Sequence, residues 1–189
     1  MDITKKQMIM EAAAKLFRDR GYSATSMRDL AKAVHLQASS LYNHIKSKQE
    51  ILKEICFHNA RHFLAGVEQI IQEESGPEAQ LKALILLHLK VATSDATSIT
   101  SFNDEWRHLD QPELDQFIKL RKRYETHFRS IIEQGIEEKI FRPVDPSIVM
   151  YTILSSLRWV YDWYRPDRAD SIEKIGDEIV ALVLRGCLS

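Results

Sequence analysis

Apolar side chains return at helical spacing along nearly the whole chain, and little interrupts them. The 189 residues hold only six glycines and five prolines, and most of these fall between the periodic segments. Strict strand-like alternation never takes over, so the pattern predicts an all-α protein of about nine helices. Ile9, Ala12, Ala13, Leu16 and Phe17 form one stripe, which Gly21 ends. Ser26 with Asp29 has the spacing of a capping box and opens a short helix through Val34. A third short helix is expected from about Gln37 to His44. Ser47 with Glu50 is a second capping box, opening a long helix to about Glu74. Further helices are expected from Pro77 to about Thr93, Ile99 to Leu109, Pro112 to Glu138, Pro146 to Tyr164 and Ser171 to about Gly186.

The net charge of -1 conceals an asymmetric chain. Residues 1–55 carry ten basic against six acidic side chains, a net of +4; the remainder carries sixteen against twenty-one, a net of -5. A positive head on a negative body fits a polyanionic partner at one end only. The charge sign changes near Lys46, where short helices give way to long ones, so two domains are expected, residues 1–46 and 47–189. Cys56 and Cys187 cannot build a disulfide framework and have no zinc-like spacing, which predicts reduced thiols in a cytoplasmic protein. Neither sits beside a cationic cluster that would make it a thiol sensor. The apolar run from Leu81 to Ala92 is broken by Lys82, His88 and Lys90, so no membrane span is expected. No nucleophile elbow, phosphate loop or zinc motif appears, so no enzyme, catalytic residue, cofactor or metal is expected.

Two short helices joined by His35-Leu36, with a longer helix before them, have the makings of a helix-turn-helix. Leu36, Leu41 and Ile45 suit the core; Gln37, Ala38, Ser39, Ser40, Tyr42, Asn43 and His44 are left to face outward. Such a small polar helix fits a major groove about 12 Å wide, where Gln pairs with adenine and an Ala methyl meets thymine. Lys48, in the first turn of the long helix, is a candidate phosphate contact. The absence of acidic residues from Ala31 through Gln49 favours DNA over a bare helical hairpin.

The stretch AAxxLFxxxGYxxTSMRDLAxAV, then SSLYNHIKSKQEIL, spanning about residues 8–54, resembles the DNA-binding domain of the TetR family of transcriptional regulators. The resemblance implies an all-helical homodimer with an N-terminal helix-turn-helix and a divergent C-terminal inducer domain. It places Thr25, Ser26 and Arg28 at phosphate contacts, Gln37 to Ser40 on the base-reading turn, and Tyr42, His44 and Lys48 at backbone clamps. Two positions depart from the pattern: His35 stands where Gly is usual, and Gln37 where Ser or Thr starts the recognition helix. His tolerates positive φ better than most residues, and Gln37 weakens the cap.

In the helix from Pro112 an apolar stripe runs Leu114, Phe117, Ile118, Tyr124, Phe128, Ile131 and Ile132, with Arg121 in its middle. A buried guanidinium needs an anionic partner, either Asp104 or Glu105 or an acidic group of an inducer. His88, on the stripe of Leu81, Leu84, Ile85 and Val91, reads as a core histidine. Thr152, Ser156, Trp159 and Trp163 form the second face of the helix from Pro146, as pocket wall or as dimer interface. Glycines 176 and 186 on the apolar stripe of the last helix permit close approach of another helix; the family resemblance implies a homodimer through the last two helices. The segments Phe102 to Leu109, Arg123-Tyr124 with Phe128-Arg129, Gly135, Phe141-Arg142 with Asp145, and Trp163 to Pro166 resemble a TetR subgroup responsive to acyl-CoA thioesters. That resemblance implies a small-molecule inducer of this class, held by Phe102, Asn103, Trp106, Arg107, Arg121, Tyr124, Phe128, Trp159 and Trp163. The competing expectation is a multidrug-type regulator of an efflux pump with an apolar aromatic ligand.

Overall fold

The computed structural model describes residues 4–94, 96–163 and 172–187. Among them are nine α-helices: α1 Lys5–Arg20, α2 Met27–Ala33, α3 Ala38–Tyr42, α4 Lys48–Glu73, α5 Pro77–Ser94, α6 Ala96–Glu105, α7 Glu113–Glu137, α8 Pro146–Trp163 and α9 Ile172–Cys187. A 3-10 turn, Trp106–His108, follows α6, so the helix expected to reach Leu109 tightens at its end. The chain is all-α, as its periodicity requires.

The starts and stops follow local chemistry. Gly21, at φ 85, closes α1 in a conformation that costs a residue with a Cβ, and its N–H donates to Phe17 O. The capping box of α2 is complete: Ser26 Oγ accepts from Asp29 N, and the Asp29 carboxylate accepts from Ser26 N. His35 adopts φ 54, the left-handed conformation that the turn demands. Gln37 makes no side-chain cap on α3. Ser47 Oγ accepts from Glu50 N, while the Glu50 carboxylate turns back to Lys46 N.

The chain forms two compact units, Met1–Arg61 with Thr97–Lys119, and His62–Ala96 with Leu120–Ser189. Each is built from two stretches, so no single cut separates them, whereas one domain boundary was expected near Lys46. In the first unit α1 packs on α2 and α2 on α3. Ile9, Ala13, Phe17, Leu30, Leu41, Ile45, Ile51 and Leu52 fill the core. The distant stretch completes it: Ser101 Oγ donates to Ala14 O at 3.0 Å, Asn59 Nδ2 donates to Ser98 Oγ at 2.7 Å, and Phe117 meets the rings of Phe57, Phe102 and Trp106.

In the second unit α5 packs on α8 and α9. Gly176 of α9 takes part in that approach: a Cβ there would lie 2.9 Å from Leu86 Cδ2, so this glycine admits α5 of the same chain. Gly186 lies outside the described side chains, as do Trp163 and Cys187. Among the described residues no helix is long and apolar enough to cross a membrane.

The dependence of the first unit on residues 97–119 can be measured. A fragment ending at residue 60 is expected to show no cooperative thermal transition by circular dichroism. In the full chain, Ser101→Ala is expected to lose about 1 kcal/mol in urea titration, the worth of one buried hydrogen bond. A fragment that melts cooperatively would refute the dependence.

Candidate nucleic-acid interface and ligand-responsive core

The short helix α3 presents the expected polar face. Gln37, Ala38, Ser39, Tyr42 and Asn43 are exposed, and Ser40 and His44 are half-buried. Leu41 and Ile45 are buried beneath them, and Leu36 is half-buried. Tyr42 is 51% exposed, unusual for a ring in a small head and well suited to lie against a sugar-phosphate backbone. Arg28 and Ser26 are exposed on the first turn of α2.

Two of the residues expected at phosphate contacts are bonded to the fold itself. Thr25 is 2% exposed; its hydroxyl donates to Gly21 O at 2.9 Å and braces the α1–α2 turn. Lys48 is half-buried and its ammonium donates to Tyr22 O at 2.6 Å, with Nζ 4.1 Å from the centre of the Tyr22 ring. Burial pulls the Lys48 pKa below its ordinary value, and the nearby Glu105 charge opposes that pull. Neither engagement was legible in the sequence, because the acceptor in each case is a backbone carbonyl fixed only by the fold.

Of the nine residues expected to line a ligand site, Trp163 lies outside the described side chains, and the others divide between the two units. Phe102 and Trp106 gather on Phe117 in the first unit, with exposed Arg107 over the Trp106 ring at 4.7 Å and Asn103 half-buried on the same helix. Tyr124 and Phe128 belong to the core of the second unit, their rings 6.1 Å apart. Sequence reasoning did not give Phe63 a role. Its ring stacks on His88 at 4.5 Å and lies 6.0 Å from Tyr124. His88 is the core histidine that was expected: it shares a 2.5 Å hydrogen bond with the Tyr124 hydroxyl through Nε2, and burial pushes its pKa down to about 3, holding the ring neutral.

Arg121 corrects an expectation. It is exposed, and its Nε pairs with Glu125 at 2.9 Å one turn along α7, while Glu105 pairs with His108. A guanidinium on a long stem escapes to water from the edge of a stripe, which the seven-residue pattern alone does not show. Trp159 is 66% exposed and flanks a groove of about 770 Å³ between α8 and α9, with Ser155, Ser156, Ile179 and Leu182. Ile148 and Tyr151 extend this exposed apolar stripe along α8. The Cys56 thiol is buried and its pKa pushed up to about 12, so it is inert. Among the described residues no group of three or more His, Cys, Asp or Glu is placed to hold a metal.

A polar helix held out from a capped, positively charged head, on a chain with a separate helical core, defines a helix-turn-helix DNA-binding transcription regulator. Residues 9–55 match the family model for bacterial regulatory proteins of the tetR family, and residues 74–187 match the tetracyclin repressor-like C-terminal domain. The chain belongs to the TetR family. It is 27% identical over 186 residues to the HTH-type transcriptional repressor KstR2 of Mycolicibacterium smegmatis, covering 97% of this chain and 90% of that one. The structure of the ketosteroid transcriptional regulator KstR2 of Mycobacterium tuberculosis is similar at a TM-score of 0.92 and 26% identity, over 100% of this chain and 97% of that one. AibR in complex with isovaleryl coenzyme A and operator DNA is similar at a TM-score of 0.81 and 27% identity, over 95% and 97%.

His88 gives the second unit a pH signature. Its folded pKa lies far below the ordinary value of 6.5, so between those values the unfolded chain takes up a proton that the fold refuses. Its contribution is intact above pH 6.5 and is lost as pH falls, by about 1.4 kcal/mol per unit once below pH 6. In urea titrations at pH 7, 6 and 5, His88→Gln is expected to lose less stability on acidification than the parent chain. Equal losses would assign the acid sensitivity to other groups.

Proposed function

We propose that the chain is a homodimeric, ligand-released repressor. Its residues 1–46 read operator DNA, and residues 47–189 bind a small-molecule inducer and dimerise. The observation that carries the reading is the exposed polar face of α3, free of acid, on a head whose charge is opposite to that of the body. Gln37, Ala38, Ser39 and Ser40 read base edges, and Ser26, Arg28, Tyr42, Asn43 and His44 hold the backbone. Thr25 serves by bracing the turn that presents them. Two heads must enter successive major grooves about 34 Å apart, which calls for a pair of chains. The exposed stripe of Ile148, Tyr151, Trp159 and Leu182 on α8 and α9 supports pairing through the last two helices, with Trp159 in the interface.

The inducer is an acyl-CoA thioester. The relative AibR was solved with isovaleryl coenzyme A and operator DNA, and this chain has two aromatic clusters, around Phe117 and around Tyr124, suited to an acyl group. An inducer that binds better to a form with weak operator affinity shifts the population towards it. One observation favours an uncharged aromatic ligand of the multidrug kind: Arg121 stands outside the core, and the titratable His88 inside it is neutral.

Selection of duplexes from a random pool is expected to recover an inverted repeat, bound with an affinity that falls steeply with salt. Recovery of no shared sequence would overturn the DNA reading. Gln37→Ala is expected to lose about 1–3 kcal/mol at one base pair of each half-site and to leave the salt dependence unchanged. Thermal melting against CoA thioesters and uncharged aromatics separates the two ligand classes, since only a ligand of the native state raises the midpoint. Trp159→Asp is expected to shift sedimentation from dimer to monomer; an unaltered dimer would place the interface elsewhere.

A further inference from the structure

The Tyr22 residue, in the turn between α1 and α2, is held from three sides. Its carbonyl accepts from Lys48 Nζ at 2.6 Å and from Thr25 N at 3.2 Å. Its ring has the Lys48 ammonium over it, the edge of Phe17 at 5.1 Å, and the His108 ring stacked on it at 5.3 Å and 20°. His108 is itself tied to the start of α4: Gln49 Nε2 donates to His108 O at 2.6 Å, and Gln49 Oε1 accepts from Asp110 N at 3.2 Å. Glu105, which pairs with His108 at 3.3 Å, acts on the Lys48 charge through space. The turn so gripped leads straight into Ser26 and Arg28, the residues that reach for phosphate.

We propose that Lys48 is a positioning residue for operator binding, which together with His108 clamps Tyr22 and so sets the turn that presents Ser26 and Arg28, and that it contributes no phosphate contact of its own. A cation that neutralises a phosphate displaces a counterion; an ammonium turned inward and half-buried against a carbonyl and a ring face does not. The chemistry of the two roles therefore differs in the salt dependence of binding and not only in its strength. The inference rests on the DNA reading above, and the parent chain's binding to the selected duplex tests that reading separately.

Binding of the selected duplex is measured at rising salt for the parent chain, Lys48→Met, Lys48→Arg, His108→Ala and Arg28→Gln. Lys48→Met keeps the stem and loses the ammonium; it and His108→Ala are expected to bind roughly tenfold more weakly with the parent slope of log K against log salt. Arg28→Gln is expected to flatten the slope by about 1. Lys48→Arg is expected to recover most of the affinity, since a guanidinium donates to the carbonyl and stacks on the ring. A slope flattened by about 1 in Lys48→Met, or unaltered affinity in His108→Ala, overturns the proposal. Amine acylation read by mass spectrometry covers the case in which the variants fail to fold. In the parent chain Lys48 is expected to react more slowly than exposed Lys46 before any DNA is added, and to change little when the duplex binds. Equal reactivity in the free protein, with protection of Lys48 only on binding, overturns it.

Discussion

A helix of five residues cannot hold itself together in water, and α3 has five. With no side-chain cap at Gln37, it owes its shape to the burial of Leu41 and Ile45 and to the turn in which His35 takes a left-handed conformation. The rest of the first unit follows from that need. The side chains that anchor the helix must be apolar and inward, and those left over must be small and polar for the outer face to enter a groove. The polar side chains of this helix therefore carry almost none of its stability.

The stability comes from further along the chain. The stretch from Thr97 to Lys119 belongs to the same compact unit as the head, although it lies beyond the helices that open the second unit. It enters through backbone acceptors and aromatic faces: Ser101 on Ala14 O, His108 on the Tyr22 ring, Gln49 on His108 O, Phe117 among three rings. Contacts of this sequence separation are slow to form and costly in chain entropy. In return, they make the set of the head answerable to a segment outside the reading motif.

Helix number, order and most boundaries were legible because they rest on period, caps and breakers, all local signals. The exposed face of α3 was legible for the same reason. What remained hidden were the polar side chains whose partners are distant carbonyls. Thr25 and Lys48 matched a familiar DNA-contact pattern by position, yet the fold occupies both with the backbone of residues 21 and 22. Arg121 matched a buried position by period, yet a long stem lets its head group leave the stripe for Glu125. Of the residues named for one lining, Phe102 and Trp106 join the cluster at Phe117, and Tyr124 packs on Phe128; spacing on helices says which face they share, and not which cluster that face joins.

The exposed apolar face on α8 and α9 and the small size of α3 belong to one argument. Leaving Trp159, Ile148 and Leu182 largely in water forgoes burial worth about 2 kcal/mol for each side chain. A chain that worked alone would gain by replacing them with polar residues. A single α3, with the four side chains proposed to read base edges, distinguishes only a few base pairs at about 1–3 kcal/mol each. That is too little against the many competing sites of a genome. The pairing proposed above, through the apolar face, would square the discrimination, because both half-sites must then match. On this reading the surface that weakens the isolated chain is what allows so short a helix to select a sequence.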